Sequence, residues 1–326
     1  MLWPALILAA QLQQQITVER VIVDARVTDS RGDAITNLTA ADFRVRIDGK
    51  AATIESAEWI PETAVTRELA AIDKPQPEIR GRLLIFLFQT DFSREAVRLA
   101  GQMKIALASD DYTNWLEPDD RVAVLSYDSH LKFRLDFTDD KRRIQESMEN
   151  ALLVDDPPPP PIVPMPSLAK HLDRDAMKAA GSFEQALIIL GNALRPIPGP
   201  KSLVLFGWGM GRFGRTGVTM EWNYGIARHS LESARVSVFS IDMTQADYHS
   251  LEVGLGKVAE DTGGFYAKSF HFPKQAVERL QKALVGHYEL EVRKPETRVR
   301  GLHTIEVQTT NKRAIVMARS SYVDSE

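Results

Sequence analysis

The sequence predicts an α/β protein in which a doubly wound, mostly parallel sheet is combined with an Ig-like β-sandwich built from the two chain ends. Between residues 82 and 285, short apolar runs alternate with segments of helical periodicity. Two of these runs, residues 83–88 and 203–206, are apolar throughout, as buried parallel strands are. Residues 16–62 and 286–326 instead alternate apolar and polar positions, which is typical of strands with one solvated face.

The composition of the chain limits the classes of protein to which it can belong. Of its 326 residues, 44% are hydrophobic and 26% are charged, which is typical of a globular protein with ample core material. The formal net charge of −4 gives no large basic field, which argues against nucleic acid as the main partner. The chain has no cysteine, which excludes disulfides, thiolate zinc sites and a cysteine nucleophile.

Residues 1–15 are interpreted as a signal segment, because an apolar run is followed by a polar stretch with a candidate cleavage point after Ala10. This interpretation predicts a secreted or cell-envelope location. The run lacks the basic residues of a typical signal, so a mis-started N-terminus is the alternative. No run reaches the about 20 apolar residues of a membrane-spanning helix, and a transmembrane protein is therefore not expected.

The remaining boundaries follow from changes of pattern along the chain. Residues 16–62 contain three predicted strands, with a hairpin signal at Asp48-Gly49, and the proline-broken residues 63–81 are predicted to be a linker. Residues 82–285 are the α/β domain, and its Pro-rich loop at 155–166 is either a stiff spacer or a ligand for an aromatic groove. Residues 286–326 are expected to complete the sandwich, although an independent β-appendage is the alternative.

Periodicity assigns the elements of the α/β domain. Its predicted strands cover residues 83–88, 120–127, 130–136, 202–206, 236–241 and 265–267. Its predicted helices cover residues 94–116, 139–153, 167–179, 183–194, 221–234, 250–261 and 273–284.

Several segments resemble a known bacterial family. Residues 21–29, 38–43 and 48–50 are similar to the N-terminal signature of VWFA-related domain proteins, in which such a segment precedes a von Willebrand factor A (VWA) core. Residues 303–307 resemble the closing β segment of that family. The resemblance covers nearly the whole chain, and it implies an extracytoplasmic protein with a VWA, Rossmann-like fold and no characterised enzymatic activity.

The resemblance also locates the metal site of the family, called MIDAS, at two strand ends. The family pattern Asp-x-Ser-x-Ser corresponds to Gln89, Asp91 and Ser93, its threonine falls near Ser182, and its final aspartate falls at Trp208. Gln89 is neutral and Trp208 cannot bind a cation, so the site is expected to be degenerate. The candidate ligands left for Mg²⁺, Mn²⁺ or Ca²⁺ are Asp91, Ser93 and Ser182.

Alternatives to this interpretation remain open at the sequence level. A rebuilt cation site would use Asp91 and Ser93 with Asp119 or Asp120. In the simplest alternative, Asp91 and Ser93 only cap the helix that follows them.

The loop after residues 203–206 carries two further patterns. Trp208, Met210 and Phe213 are predicted to form an apolar patch that contacts a partner, with Trp208 folded into the core as the alternative. The same loop also matches G-x-G-x-x-G at residues 209–214. Residues 215–219 separate the last glycine from any helix, so nucleotide binding by an enzyme is the weaker alternative.

The function predicted is a non-enzymatic, adhesion-type module that binds a protein partner. No catalytic residue and no cofactor are assigned, because no catalytic motif is present. The partner is expected at the loops 89–94, 181–183, 207–220 and 242–249, which follow the carboxyl ends of predicted strands. Metal-dependent adhesion through a site at Asp91 is the alternative.

Overall fold

The computed structural model describes residues 20–62, 81–90, 100, 103–151, 153, 155–164, 166–215, 217–245, 248–295 and 301–324. The predicted signal segment, most of the predicted linker, and the candidate ligands Asp91 and Ser93 lie outside these described residues. Within them, no helix combines the length and the apolar character needed to cross a membrane.

The described elements alternate along the chain much as the sequence predicts. The strands are β1 (Arg20–Thr28), β2 (Phe43–Ile47), β3 (Lys50–Pro61), β4 (Leu83–Gln89), β5 (Arg121–Tyr127), β6 (Leu131–Thr138), β7 (Lys201–Gly207), β8 (Arg212–Gly214), β9 (Gly217–Thr219), β10 (Val236–Asp242), β11 (Tyr266–Lys268), β12 (Gly286–Arg293), β13 (Leu302–Thr309), β14 (Ile315–Ala318) and β15 (Ser321–Val323). The helices are α1 (Ser109–Thr113), α2 (Lys141–Asn150), α3 (Arg174–Lys178), α4 (Phe183–Leu194), α5 (Tyr224–Ser233), α6 (Glu252–Asp261) and α7 (Pro273–Ala283).

A six-stranded sheet forms the centre of the α/β part, in the order β11-β10-β7-β4-β5-β6. Neighbouring strands are parallel except at the edge, where β6 runs antiparallel to β5. The chain builds outward from β4 in one direction and from β7 in the other, so the strand order reverses between β4 and β7. This doubly wound arrangement confirms the predicted mixed α/β class.

Helices cover both faces of this sheet, which explains why its central strands are apolar throughout. In β4, Leu83, Ile85 and Leu87 pack into a core that includes α4, α5 and α6. Leu84 and Phe86 point to the other face and pack into a core that includes residues of α2 and α7. Strands with only one buried face would show an alternating pattern instead.

A second sheet joins the two chain ends in the order β14-β1-β12-β3-β2-β13-β15. β12 lies between β1 and β3 and pairs antiparallel with both. The outermost strands, β14 and β15, are separated in sequence only by Arg319 and Ser320, so the two edges of the sheet lie close together. The Ig-like sandwich is not confirmed, because these seven strands are hydrogen-bonded into one curled sheet rather than into two.

Ion pairs attach this terminal sheet to the α/β part. Arg235 precedes β10 and binds Asp24 of β1 at 2.6 Å and Glu289 of β12 at 2.8 Å. The buried Arg26 donates to the hydroxyl of Ser237 in β10 at 2.9 Å. Both contacts lie at the amino edge of the central sheet, which leaves the carboxyl edge uncovered by the terminal sheet.

The helix predicted at residues 167–179 is much shorter in the structure. Residues 167–179 were predicted to be helical, but α3 begins only at Arg174. Asp136 holds the start of this segment by accepting from the hydroxyl of Ser167 and the N–H of Leu168. Asp173 then caps α3 through its side chain, so the helix cannot extend towards residue 167.

Candidate functional site

The candidate site lies at the carboxyl edge of the central sheet, where β4 and β7 diverge. Gln89 ends β4, and its side chain is only 3% exposed. Its Nε2 donates to the carbonyl oxygen of Gly209 at 2.9 Å, and its Oε1 accepts from the N–H of Trp208 at 3.0 Å. A carboxylate at position 89 could accept a hydrogen bond but could not donate one. The amide therefore bridges two strand ends at the switch point where doubly wound sheets usually bind ligands.

The glycines after β7 are explained by close packing against α6. A Cβ on Gly209 would lie 2.6 Å from the Cβ of Leu251, and a Cβ on Gly254 would lie 2.3 Å from the carbonyl oxygen of Met210. Neither position has room for a larger side chain. Packing against α6 therefore explains the glycine at position 209, and a phosphate cradle is not needed to account for it.

The glycine-rich loop at residues 209–214 does not have the geometry of a nucleotide-binding loop. Gly211 has a φ of +85°, which favours glycine, and it leads into a hairpin of β8 and β9. Gly214 belongs to β8, and the next helix begins only at Tyr224. Because no helix begins at Gly214, no helix N-terminus is available there for a pyrophosphate.

The three residues predicted to contact a partner differ in exposure. Phe213 is 58% exposed on the β8–β9 hairpin, whereas Trp208 is half-buried. Met210 is 3% exposed and belongs to the core that contains α4 and α5, so its predicted role in partner contact disagrees with its burial. The packing of the loop against α6 turns Met210 inward.

The other candidate cation ligands are used elsewhere. Ser182 caps α4 by accepting from the N–H of Gln185 at 3.2 Å. Asp120 is 1% exposed and forms an ion pair with Arg82. It directly precedes β5, which places it at the amino edge of the sheet. The alternative cation site that included Asp119 or Asp120 is therefore wrong, because the candidate site lies at the opposite edge.

A cluster of polar side chains that the sequence analysis did not single out lies beside this site. Asp242 ends β10 and is fully buried, and its Oδ2 lies 2.9 Å from His249 Nε2 and 2.6 Å from the Tyr266 hydroxyl. Glu252 Oε2 lies 2.7 Å from Lys268 Nζ. Ligand atoms of Asp242, His249 and Glu252 lie within 4.8 Å of one another, so one cation could contact all three.

Internal hydrogen bonds already pair the charges of this cluster. Burial raises the pKa of the Tyr266 phenol, and its bond to Asp242 raises that pKa further, so the phenol remains a donor at neutral pH. Burial alone would raise the pKa of Glu252. The Lys268 ammonium and the backbone N–H of His249 nevertheless hold it below its ordinary value.

Exposed aromatic side chains gather at the same edge of the sheet. Among the described residues, the aromatic side chains classed as exposed are Phe213 at 58%, Trp222 at 80%, Tyr248 at 69% and Phe272 at 62%. Phe213 and Trp222 follow β7, Tyr248 follows β10 and Phe272 follows β11. The sequence analysis missed three of the four, because isolated aromatics in polar segments give no periodic signal.

Comparisons with known proteins give fold similarity at low sequence identity. No protein-family model and no curated protein matches the chain. The chain is similar to a von Willebrand factor type A protein from Catenulispora acidiphila, with 9% identity, a TM-score of 0.45, and coverage of 90% of this chain and 76% of that one. For the manganese-loaded TRAP protein of Plasmodium vivax, the identity is 12% and the TM-score is 0.37. The match covers 81% of this chain and 96% of that one. BatB from Bacteroides thetaiotaomicron is 12% identical with a TM-score of 0.37, and the match covers 62% of this chain and 98% of that one.

The sheet and the site define a class of doubly wound α/β proteins whose loops meet at a switch point. Within that class, the chain has β4 and β7 at the centre of six strands and one antiparallel edge strand. The bridge formed by Gln89 stands at the strand end where the resemblance expects a metal-binding aspartate.

Proposed function

We propose that the chain is a non-enzymatic protein-binding module of the extracytoplasmic space, which contacts its partner through the carboxyl-edge loops of the VWA-like sheet. The observation that carries this proposal is the position of the exposed aromatic side chains of the described residues, all of which follow carboxyl ends of β7, β10 or β11. Aromatic residues are enriched at the centres of protein interfaces. Exposing four of them on one edge costs solubility unless a partner covers them.

The proposed contact does not depend on a cation at the family position. The amide of Gln89 carries no charge, and its oxygen and nitrogen are both engaged with the backbone of residues 208–209. A cation placed there would have to break these bonds and would gain no carboxylate from position 89 in return. The bridge instead fixes the loop that leads to Phe213, which lowers the entropy lost when a partner binds.

Site-specific photo-crosslinking tests the proposed surface. A photoreactive phenylalanine analogue is placed at Phe213, at Trp222 or, as the control, at Val285, which is 52% exposed at the opposite edge of the sheet. The same partner should be captured from Phe213 and Trp222 but not from Val285. With that partner purified, Phe213→Ser and Trp222→Ser should each weaken binding at least about tenfold, whereas Val285→Ser should not. Equal capture from Val285, or unchanged binding by both serine variants, would refute the proposal.

A metal-dependent module is the second candidate, and the cluster of Asp242, His249 and Glu252 is the observation that favours it. Thermal unfolding in EDTA, and then in millimolar Mg²⁺, Mn²⁺ or Ca²⁺, separates the two candidates. A cation that binds only the folded protein, at 100 times its dissociation constant, adds about 2.7 kcal/mol. We expect no such gain. A gain abolished by Asp242→Asn would assign it to this cluster, and a gain abolished by Asp91→Ala would assign it to a rebuilt MIDAS.

A further inference from the structure

A cavity of about 320 Å³ lies between the edge strand β6 and the Pro-rich segment of residues 155–164. Residues 172–178 close its third side. The residues that line the cavity are far in sequence from the aromatic loops, and the proposed protein contact does not use them. Its volume falls at the lower end of the range typical of small-molecule sites.

The Pro-rich segment covers one side of this cavity, and its prolines restrict its backbone to an extended conformation. Each of residues 157–160 precedes a proline, which restricts its backbone to the extended or polyproline region. Pro157, Pro160 and Val163 are half-buried while the intervening described residues are mostly exposed, which matches the three-residue repeat of a polyproline helix. His130 Nε2 binds Asp156 at 2.9 Å and fastens one end of the segment to the β5–β6 turn.

The inner wall of the cavity is apolar. Leu131, Phe133 and Met177 line it, and each is less than 10% exposed. Ile162 lines it from the Pro-rich side, with 64% of its surface in contact with water. Since Leu131, Phe133 and Met177 are already nearly buried, the water released when an apolar group covers this wall comes mainly from the surface of Ile162.

The rim of the cavity carries unpaired positive charge. Arg174 and Lys178 both line the cavity, four residues apart on α3, and neither has an ion pair with any described residue. Like charges at this spacing destabilise a helix by a few tenths of a kcal/mol. The remaining cation, Lys132, is already bound to Asp128 at 2.7 Å. Among the described residues, Arg174 and Lys178 therefore have no ion-pair partner, although the carboxylate of Asp156 also lines the cavity.

We propose that this cavity binds a small amphipathic carboxylate, whose apolar body lies against Leu131, Phe133 and Met177 and whose carboxylate lies between Arg174 and Lys178. At about 30 Å³ for each non-hydrogen atom, the volume accommodates on the order of ten such atoms. An arginine offers a bidentate fork to a carboxylate, and a lysine adds a point charge. This ligand site is independent of the protein partner proposed above.

Titration calorimetry of the full chain with octanoate below its micellar range tests the proposal, with acetate, octanol and octylammonium as matched probes. Octanoate should bind to one site per chain, and each of the other probes should bind at least about tenfold more weakly. The double variant Arg174→Ala/Lys178→Ala should lose at least about tenfold in octanoate affinity. The control variant Lys312→Ala/Arg313→Ala removes the same charge from an exposed turn and should keep the affinity.

A second variant tests the apolar wall without changing charge. Ala169 is half-buried beside the cavity, so Ala169→Leu should fill part of it and weaken octanoate binding while leaving the thermal midpoint within a few degrees. Octanol binding as tightly as octanoate would overturn the proposal. So would equal losses in the two double variants, or full octanoate affinity in Ala169→Leu.

Discussion

Gln89 provides the sharpest test of how the switch point is held together. Its side chain is 3% exposed and makes hydrogen bonds of 2.9, 3.0 and 3.4 Å to the backbone of residues 208–209. In Gln89→Ala, the carbonyl oxygen of Gly209 and the N–H of Trp208 lose their hydrogen bonds to the side chain of residue 89. Each unsatisfied group costs about 1–3 kcal/mol, so the free energy of unfolding should fall by roughly 2–6 kcal/mol.

Gln89→Glu keeps the shape of the side chain and separates geometry from charge. Its Oε1 can still accept from Trp208, but the second oxygen would face the carbonyl oxygen of Gly209 unless it carried a proton. Burial and this contact should raise the pKa of the introduced carboxyl above its unfolded value. A raised pKa in the folded state means that stability is retained at low pH and lost as pH rises through the folded pKa.

Urea unfolding at pH 5 and pH 8 measures both effects. Gln89→Glu should lose more stability than the wild type between these two pH values, while Gln89→Ala should be weakened equally at both. Gln275→Glu introduces the same charge at an exposed position and should change stability by no more than about 0.5 kcal/mol. A Gln89→Glu protein as stable as the wild type at pH 8, or a cost below about 0.5 kcal/mol for Gln89→Ala, would refute the bridge.

Three further measurements test the packing and the buried charges. Gly254→Ala should cost about 1–3 kcal/mol in urea unfolding because its Cβ would lie 2.3 Å from a backbone carbonyl, whereas Gly256→Ala, with open space around it, should be neutral or stabilising. Burial raises the pKa of Glu232 to about 7, so the stability of the wild type should fall between pH 4.5 and 7. The stability of Glu232→Gln should fall less over this range. Parallel curves of stability against pH for the two proteins would exclude Glu232 as the cause. Hydrogen bonds to two carboxylates raise the pKa of His303, so its stabilisation is present below pH 6.5 and lost at higher pH, and His303→Gln should flatten the curve above pH 6.5. An unchanged slope in His303→Gln would contradict that assignment.

The sequence predicts the central sheet well because burial on both faces leaves a local signature. The runs at residues 83–88 and 203–206 have no polar residue, and they became β4 and β7 at the centre of the sheet. The helix predicted at residues 183–194 has those boundaries in the structure, because Ser182 supplies a local cap. Sequence patterns of this kind depend only on residues that are close together in the chain.

The candidate site is less predictable because its contacts are distant in sequence. Gln89 and Gly209 are 120 positions apart, and neither residue type indicates that an amide will bridge two strand ends. The burial of Met210 depends on α6, which starts more than 40 residues later in the chain. The predicted metal ligands Asp91 and Ser93 lie outside the described residues, so their role stays a prediction.

The terminal sheet imposes an order of events during synthesis. Both neighbours of β1 in the sheet, β12 and β14, come from the last part of the chain, and Ala25 pairs with Tyr288. At about 5–20 residues per second, a ribosome takes roughly 13–50 s to travel between those two positions. During that interval β1 has emerged without a strand to pair with, and unpaired strands template aggregation. The yield of this protein should therefore depend on how fast its end is translated and on whether a chaperone covers its beginning.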